Sequence, residues 1–336
     1  MTHAADDNSP APPAPMTATG RGHPERGRLM RLATVASLVV AGSLSLAKAA
    51  AWTLSDSAAM LGSLLDSALD FLASAIIFFG VRVALAPPDA DHRFGHGKAE
   101  GIASLIQALL MTASALYLAV ESVREIVSPS PITHDAWIIG VSVAAILLSG
   151  ALVAFQRRVI ARTGSLAIDA DRLHYAGDLL LNLSVIAAAV LIRIFDAPWI
   201  DGLFGLGIAG WIAKAAFGIG REAVDILMDR EFPEAARERI FEIAMGNTAV
   251  KGVHEIKTRS SGSQDFIQLH LEVDPEMTVR DAHLVATEVE AALSEEFPHA
   301  EILIHVDPLG LEPHEPVVGP PESGAVLPLG GAETGR

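Results

Sequence analysis

Two pairs of ionisable residues stand four positions apart in stretches that are otherwise apolar. Asp66 and Asp70 lie in "LLDSALDFLASAIIFFG", residues 64–80, and His174 and Asp178 lie in "DADRLHYAGDLLLNLSVIAAAV", residues 169–190. On a helix, positions i and i+4 share a face, with their side chains about 6 Å apart. An ionised carboxylate near the centre of a bilayer costs about 2.5–3.5 kcal/mol on insertion scales, so such residues are functional by default. Packed face to face, the two helices would present three carboxylates and one imidazole. That is a four-ligand nitrogen/oxygen site suited to a tetrahedral divalent ion. A bound dication, or protons in its absence, would relieve the buried charge. A structural interhelical hydrogen bond would account for either pair alone, but two pairs on separate spans point to ion transport.

Two further groups carry similar chemistry. In the loop "PPDADHRFGHGKAE", Asp89, His92 and His96 can coordinate a second ion, with Asp91 as a further candidate. Solvated, unliganded histidines are the competing reading of that loop. Toward the C-terminus, His254, His270, His283, His305 and Asp307 supply five potential ligands in about 80 residues. They suggest a carboxylate–imidazole cluster with room for two ions. The chain contains no Cys, which excludes thiolate sites and disulfides and leaves His, carboxylate and backbone oxygen to hold any metal.

The elements that must position these groups follow from hydropathy. Of 336 residues 51% are hydrophobic and mean hydropathy is +0.39, as in a membrane protein with a soluble part. Six apolar segments are long enough to cross a bilayer, at roughly 29–52, 56–86, 98–127, 133–161, 169–195 and 198–227. The third and fourth cores are free of charge and read as lipid-facing or scaffold. In the sixth, Gly202, Gly205, Gly207 and Gly210 would allow close helix approach. One set of span ends carries Arg21, Arg26, Arg28, Arg31, Arg93, Lys98, Arg157, Arg158, Arg162, Arg221 and Arg230, while the other has little more than Arg124 and Arg193. The positive-inside rule then places both termini in the cytoplasm.

Residues 1–28 are rich in Pro and Ala and read as a disordered arm, with no cleavable signal peptide expected. The tail from 310 to 336 is Pro/Gly-rich and reads the same way. Between them, residues 229–309 alternate as helix, strand, strand, helix, strand, an α+β order. The net charge of −16 is concentrated in the C-terminal region, domain and tail together: residues 231–336 hold 20 acidic and 7 basic side chains, which argues against nucleic-acid binding.

The motifs "LDSALD", "DHRFGHGKAE", "FQRRVIARTGS", "DRLH" with "LHYAGD", and "IQLHLE…AHLVATEVE…ILIHVDP" occur in an order that resembles the cation diffusion facilitator family, in its bacterial zinc/ferrous-iron efflux branch. The resemblance covers about residues 29–309; the long N-terminal arm is a departure in length. It implies a six-helix transport domain (29–228) and a cytoplasmic, metallochaperone-like domain (229–309) that mediates homodimerisation. It further implies a multi-pass protein of the bacterial inner membrane that exports divalent cations in exchange for protons. Family analogy puts the transport site on Asp66, Asp70, His174 and Asp178, the loop site on Asp89, His92 and His96, and a binuclear cytoplasmic site on His254, His270, His283, His305 and Asp307. Lys98 and Asp229 match an intersubunit salt-bridge cluster.

Ligand chemistry suits the exchange. Metal binding needs deprotonated ligands and so releases protons. The Asp/His set favours Zn²⁺ and tolerates Fe²⁺ or Cd²⁺. Two other readings compete: a passive cation channel, which needs weak multi-site binding, and a membrane-tethered metal sensor. An enzyme is not expected, since no phosphate-binding Gly loop, nucleophile elbow or HExxH occurs.

Overall fold

The computed structural model describes residues 24–55, 58–128, 136–197, 199–262 and 264–310. Six long helices come first: α1 (Pro24–Ser55), α2 (Ala58–Ala84), α3 (Lys98–Val127), α4 (Ala136–Thr163), α5 (Leu166–Phe195) and α6 (Ile200–Leu227). All six are long and apolar enough to span a membrane. The chain is therefore a multi-pass membrane protein. Helix α1 starts at Pro24, ahead of the expected span and inside the segment read as a disordered arm. A proline fixes φ at a helical value where no amide partner is needed, and Glu25 in the first turn complements the helix dipole. The remaining arm, the "PSPITHD" turn and the tail lie outside the described residues.

Helix packing follows the small residues. Helices α3 and α6 pack most extensively, because a Cβ at Gly202 would lie 2.6 Å from the Ser122 carbonyl oxygen and one at Gly205 would lie 2.3 Å from Ser122 Oγ. Gly207 and Gly210, expected to serve the same purpose, have no neighbour within 4 Å of such a Cβ. They belong to the opposite side of α6. Overpacking of this kind costs about 1–3 kcal/mol. Gly202→Leu is thus expected to lower the unfolding temperature in detergent by several degrees, while Gly207→Leu leaves it within about a degree of wild type. Equal melting of the two variants would refute the close approach.

The C-terminal domain consists of α7 (Glu234–Met245), β1 (Gly252–Ser260), β2 (Asp265–Val273), α8 (Val279–Glu296) and β3 (Ala300–Pro308). Strand order is β1-β2-β3, with β1 antiparallel and β3 parallel to β2. The parallel pair needs a crossover, which α8 provides. Thr278 caps α8 by accepting from the Asp281 amide at 3.2 Å. Ile267, Leu269 and Leu271 of β2 alternate inward against Val285, Val289 and Leu293 of α8 and Ile240 of α7, giving the domain its own core. Register aligns His254 with His270, and His270 with His305, across the sheet. A bulge follows His254, where Glu255 takes a left-handed backbone with φ 48°.

Candidate metal-transport site

The two pairs read from the sequence meet in the structure. Asp70 on α2 lies 3.1 Å from His174 Nε2 on α5, and Asp178 lies 3.7 Å from the same nitrogen. One ligand atom from each of the three residues falls within 4.8 Å of the others. Asp66 stands outside this triad but lines a cavity of about 160 Å³ together with Asp70 and Asp178. A dication placed among these oxygens and the imidazole nitrogen would meet borderline-hard ligands only, as Zn²⁺ and Fe²⁺ accept.

Neighbouring helices hold the triad in place. Asp171, one turn before His174, is 1% exposed. It accepts from the Ser37 hydroxyl of α1 and from Gln156 Nε2 of α4 at 2.7 Å. Tyr175 is 2.9 Å from Ser74 of α2 and donates to the Ser37 carbonyl at 3.3 Å. This buried, hydrogen-bonded network ties α5 to α1, α2 and α4, so the His174 face cannot turn alone. Sequence reasoning missed Asp171 and Tyr175, and it missed Lys48, which lines the cavity from α1.

The N-terminus of α5 is set separately. Ser165 caps it by accepting from the Ile168 amide, and Glu100 of α3, fully buried, accepts from the Ser165 hydroxyl and from the Ala167 amide at 3.2 Å. Helices α3 and α5 are thereby locked together at the end near the soluble domain.

The loop candidates also converge. Asp89 lies 3.3 Å from both His92 Nδ1 and His96 Nε2. Amide donation from His92 and Asp91 to Asp89 holds its carboxyl below the usual carboxylate range, so it is an anion at neutral pH. Asp91 is not among the converging ligands. His96 turns Nε2 toward Asp89, while its Nδ1 is buried with no hydrogen-bond partner among the described groups.

In the C-terminal domain, His270 Nδ1 is 2.8 Å from Asp307, His254 Nε2 is 3.6 Å from the same oxygen, and His305 Nε2 is 3.1 Å from the other oxygen. Asp307 thus faces imidazoles with both oxygens. Burial pushes its carboxyl up, but hydrogen bonding from His270 and the charges of His305, His270 and His254 outweigh this and hold it below the ordinary range. Glu272, opposite Asp307 in register and 3.5 Å from His254, joins the cluster unforeseen. His283 is exposed on α8 and lies outside the converging group of a single chain.

Lys98 and Asp229 pair at 2.9 Å within one chain, where the resemblance implied a contact between subunits. Arg259 of β1 takes the second Asp229 oxygen at 3.2 Å and stacks on Phe94 and Phe266. These cations hold the Asp229 carboxyl below its usual range against the upward push of burial. The joint fastens the loop carrying His92 and His96 to the soluble domain.

Six membrane helices with a half-buried carboxylate–imidazole centre, followed by a small domain rich in histidine, define a membrane transporter of metal cations. Residues 34–228 match the cation efflux transmembrane domain, and residues 232–309 match the cation efflux protein cytoplasmic domain. The cation-efflux pump FieF of Shewanella oneidensis is 42% identical over 284 residues, covering 84% of this chain and 96% of that protein. FieF of Salmonella choleraesuis is 39% identical over 289 residues, covering 86% of this chain and 96% of that one. A solved structure of CzrB in a zinc form is 35% identical and covers 25% of this chain and 97% of that one, at a TM-score of 0.23. The chain belongs to the cation efflux, or cation diffusion facilitator, family and is FieF-like.

Proposed function

We propose that the protein is a homodimeric, proton-coupled antiporter that exports divalent cations from the cytoplasm across the bacterial inner membrane. Zn²⁺ is the leading substrate, with Fe²⁺ and Cd²⁺ accepted. The convergence of Asp70, His174 and Asp178 inside the membrane carries this reading, and Asp66 completes the four-ligand set from the cavity wall. Facing the cytoplasm, the site exchanges protons for metal. Facing outward, it loses metal and is reprotonated. A channel would hold its ion weakly at several sites; strong ligands within 4.8 Å of one another favour stepwise carriage instead.

Asp89, His92 and His96 are proposed to hold a second ion where the α2–α3 loop meets the soluble domain. His254, His270, His305 and Asp307 are proposed to contribute to a binuclear site for resident metal in each C-terminal domain. Such a metal supplies positive charge that binds the carboxylate and imidazoles into one rigid face. His283 enters this assignment by family resemblance and requires the second copy of the chain to reach a cluster.

The test is reconstitution into liposomes with a pH gradient, offering Zn²⁺, Fe²⁺, Mn²⁺, Co²⁺ and Cd²⁺ in parallel. Antiport predicts metal flux and proton counterflux in step, with flux falling when the releasing side is made alkaline. Flux indifferent to both pH values returns the protein to the channel reading. His174→Asp replaces a borderline nitrogen ligand with oxygen. It is expected to shift the Zn²⁺/Mn²⁺ transport ratio toward Mn²⁺ on the order of tenfold; an unchanged ratio removes His174 from the ligands.

A further inference from the structure

Lys48 is the one cationic side chain among the described residues that line the cavity of Asp66, Asp70 and Asp178. It lies within the membrane-spanning length of α1 and is half-buried. Contacts between α1 and α2 set the backbone that carries it beside the cavity. Ser45, one turn earlier, donates to the Ser67 carbonyl at 2.9 Å, next to Asp66. A Cβ at Gly42 would lie 3.5 Å from the Phe71 ring, so α1 and α2 run closely together where the carboxylates stand. Lys48 has no ion pair among the described residues, and it lines the same cavity as the three carboxylates.

The charges of the site give this residue a role. Three carboxylates around one dication leave a single uncompensated negative charge, and a buried net charge is costly in the low dielectric of a membrane. One ammonium on the cavity wall cancels it. We infer that Lys48 is a tethered counter-charge of the transport site, making the metal-loaded site neutral and moderating how tightly the dication is held. The inference rests on the transport-site reading above.

Two effects of opposite sign follow from removing the ammonium. The incoming cation no longer meets a like charge, so it binds more tightly. The loaded site then carries net negative charge, so the conformational exchange that moves it becomes slower. Affinity rises while maximal rate falls, a split that loss of packing alone would not produce.

The experiment uses the full-length protein in proteoliposomes, with zinc affinity measured by dye competition and transport by initial rates. Lys48→Met and Lys48→Gln are each expected to lower the zinc Kd and KM on the order of tenfold and to lower the maximal rate by a similar factor. Lys48→Arg, which keeps the charge, is expected to behave within about twofold of wild type. Unchanged affinity in both neutral variants would overturn the inference and return Lys48 to a side chain that reaches toward the headgroups. A slower rate without tighter binding would overturn it in favour of a packing role. Asp178→Ala is measured alongside. If that variant still transports, the site reading itself fails; if it is inactive while the Lys48 variants match wild type, only the lysine's role is lost.

Discussion

Asp178→Ala and Asp70→Ala are each expected to reduce zinc flux to background, a loss of at least about 100-fold, while the variants insert and elute as wild type. Disturbing even the groups that orient metal ligands costs about 10–100-fold, and these two substitutions remove the ligands. Asp70 and Asp178 flank the same His174 nitrogen at 3.1 and 3.7 Å, so neither can stand in for the other. Folding should survive, because the network that anchors α5 runs through Asp171, Ser37, Gln156 and Tyr175 and touches neither carboxylate. Asp171→Ala is the contrasting case: it removes the carboxylate that joins Ser37 of α1 and Gln156 of α4 to α5, leaving those side chains only the Ala33 carbonyl and the Ser37 oxygen, and it should lower expression and thermal stability along with transport. Substantial flux through a folded Asp178→Ala protein would dismantle the assignment.

The triad was legible in the sequence because helical periodicity alone brings residues four apart to one face, and an apolar context makes a charged pair conspicuous. Its surroundings were not. Asp171 sits in the more polar first turns of α5, where a carboxylate looks like a surface residue. Lys48 is a single cation toward the end of a span, a pattern that also describes a snorkelling lysine. Only the pairing of α1 with α2 sets it against Asp66. The histidine row of the soluble domain depended on strand register, which a bulge at Glu255 shifts in a way no hydropathy pattern reveals. Glu272 was invisible for the same reason. The glycines of α6 were half legible: composition announces close packing, but the phase of the helix decides that Gly202 and Gly205 face α3 and Gly207 does not.

Zinc is expected to raise the melting temperature of the isolated C-terminal domain, residues 229–309, by roughly 10–20 °C at 100 times its dissociation constant. A ligand that binds only the folded state stabilises it by about 2.7 kcal/mol at that concentration, and each kcal/mol moves a domain of this size by about 4–8 °C. The domain can be tested alone because Ile240, Ile267, Leu269, Leu271, Val289 and Leu293 give it a core separate from the membrane helices. Its acidity supplies a further expectation. Like-charged domains repel, so cations bound at the histidine face should draw two protomers together and shorten the distance between labels placed on them. His270→Ala combined with Asp307→Ala removes the closest pair in the cluster, at 2.8 Å, and should abolish both responses while only reducing transport in the full chain. Acid should act in the same direction. Asp307 is held below the ordinary carboxylate range, so its contribution to stability is fully present above the unfolded-state value of about 3.9 and is lost as pH falls through its lowered value. Metal must leave at higher pH than that, because imidazoles bind it only when neutral. The zinc-dependent gain should therefore vanish on mild acidification, before the metal-free domain loses the stability that Asp307 provides. Simultaneous loss of both, or no heat of zinc binding to the wild-type domain, would return these histidines to the ordinary surface.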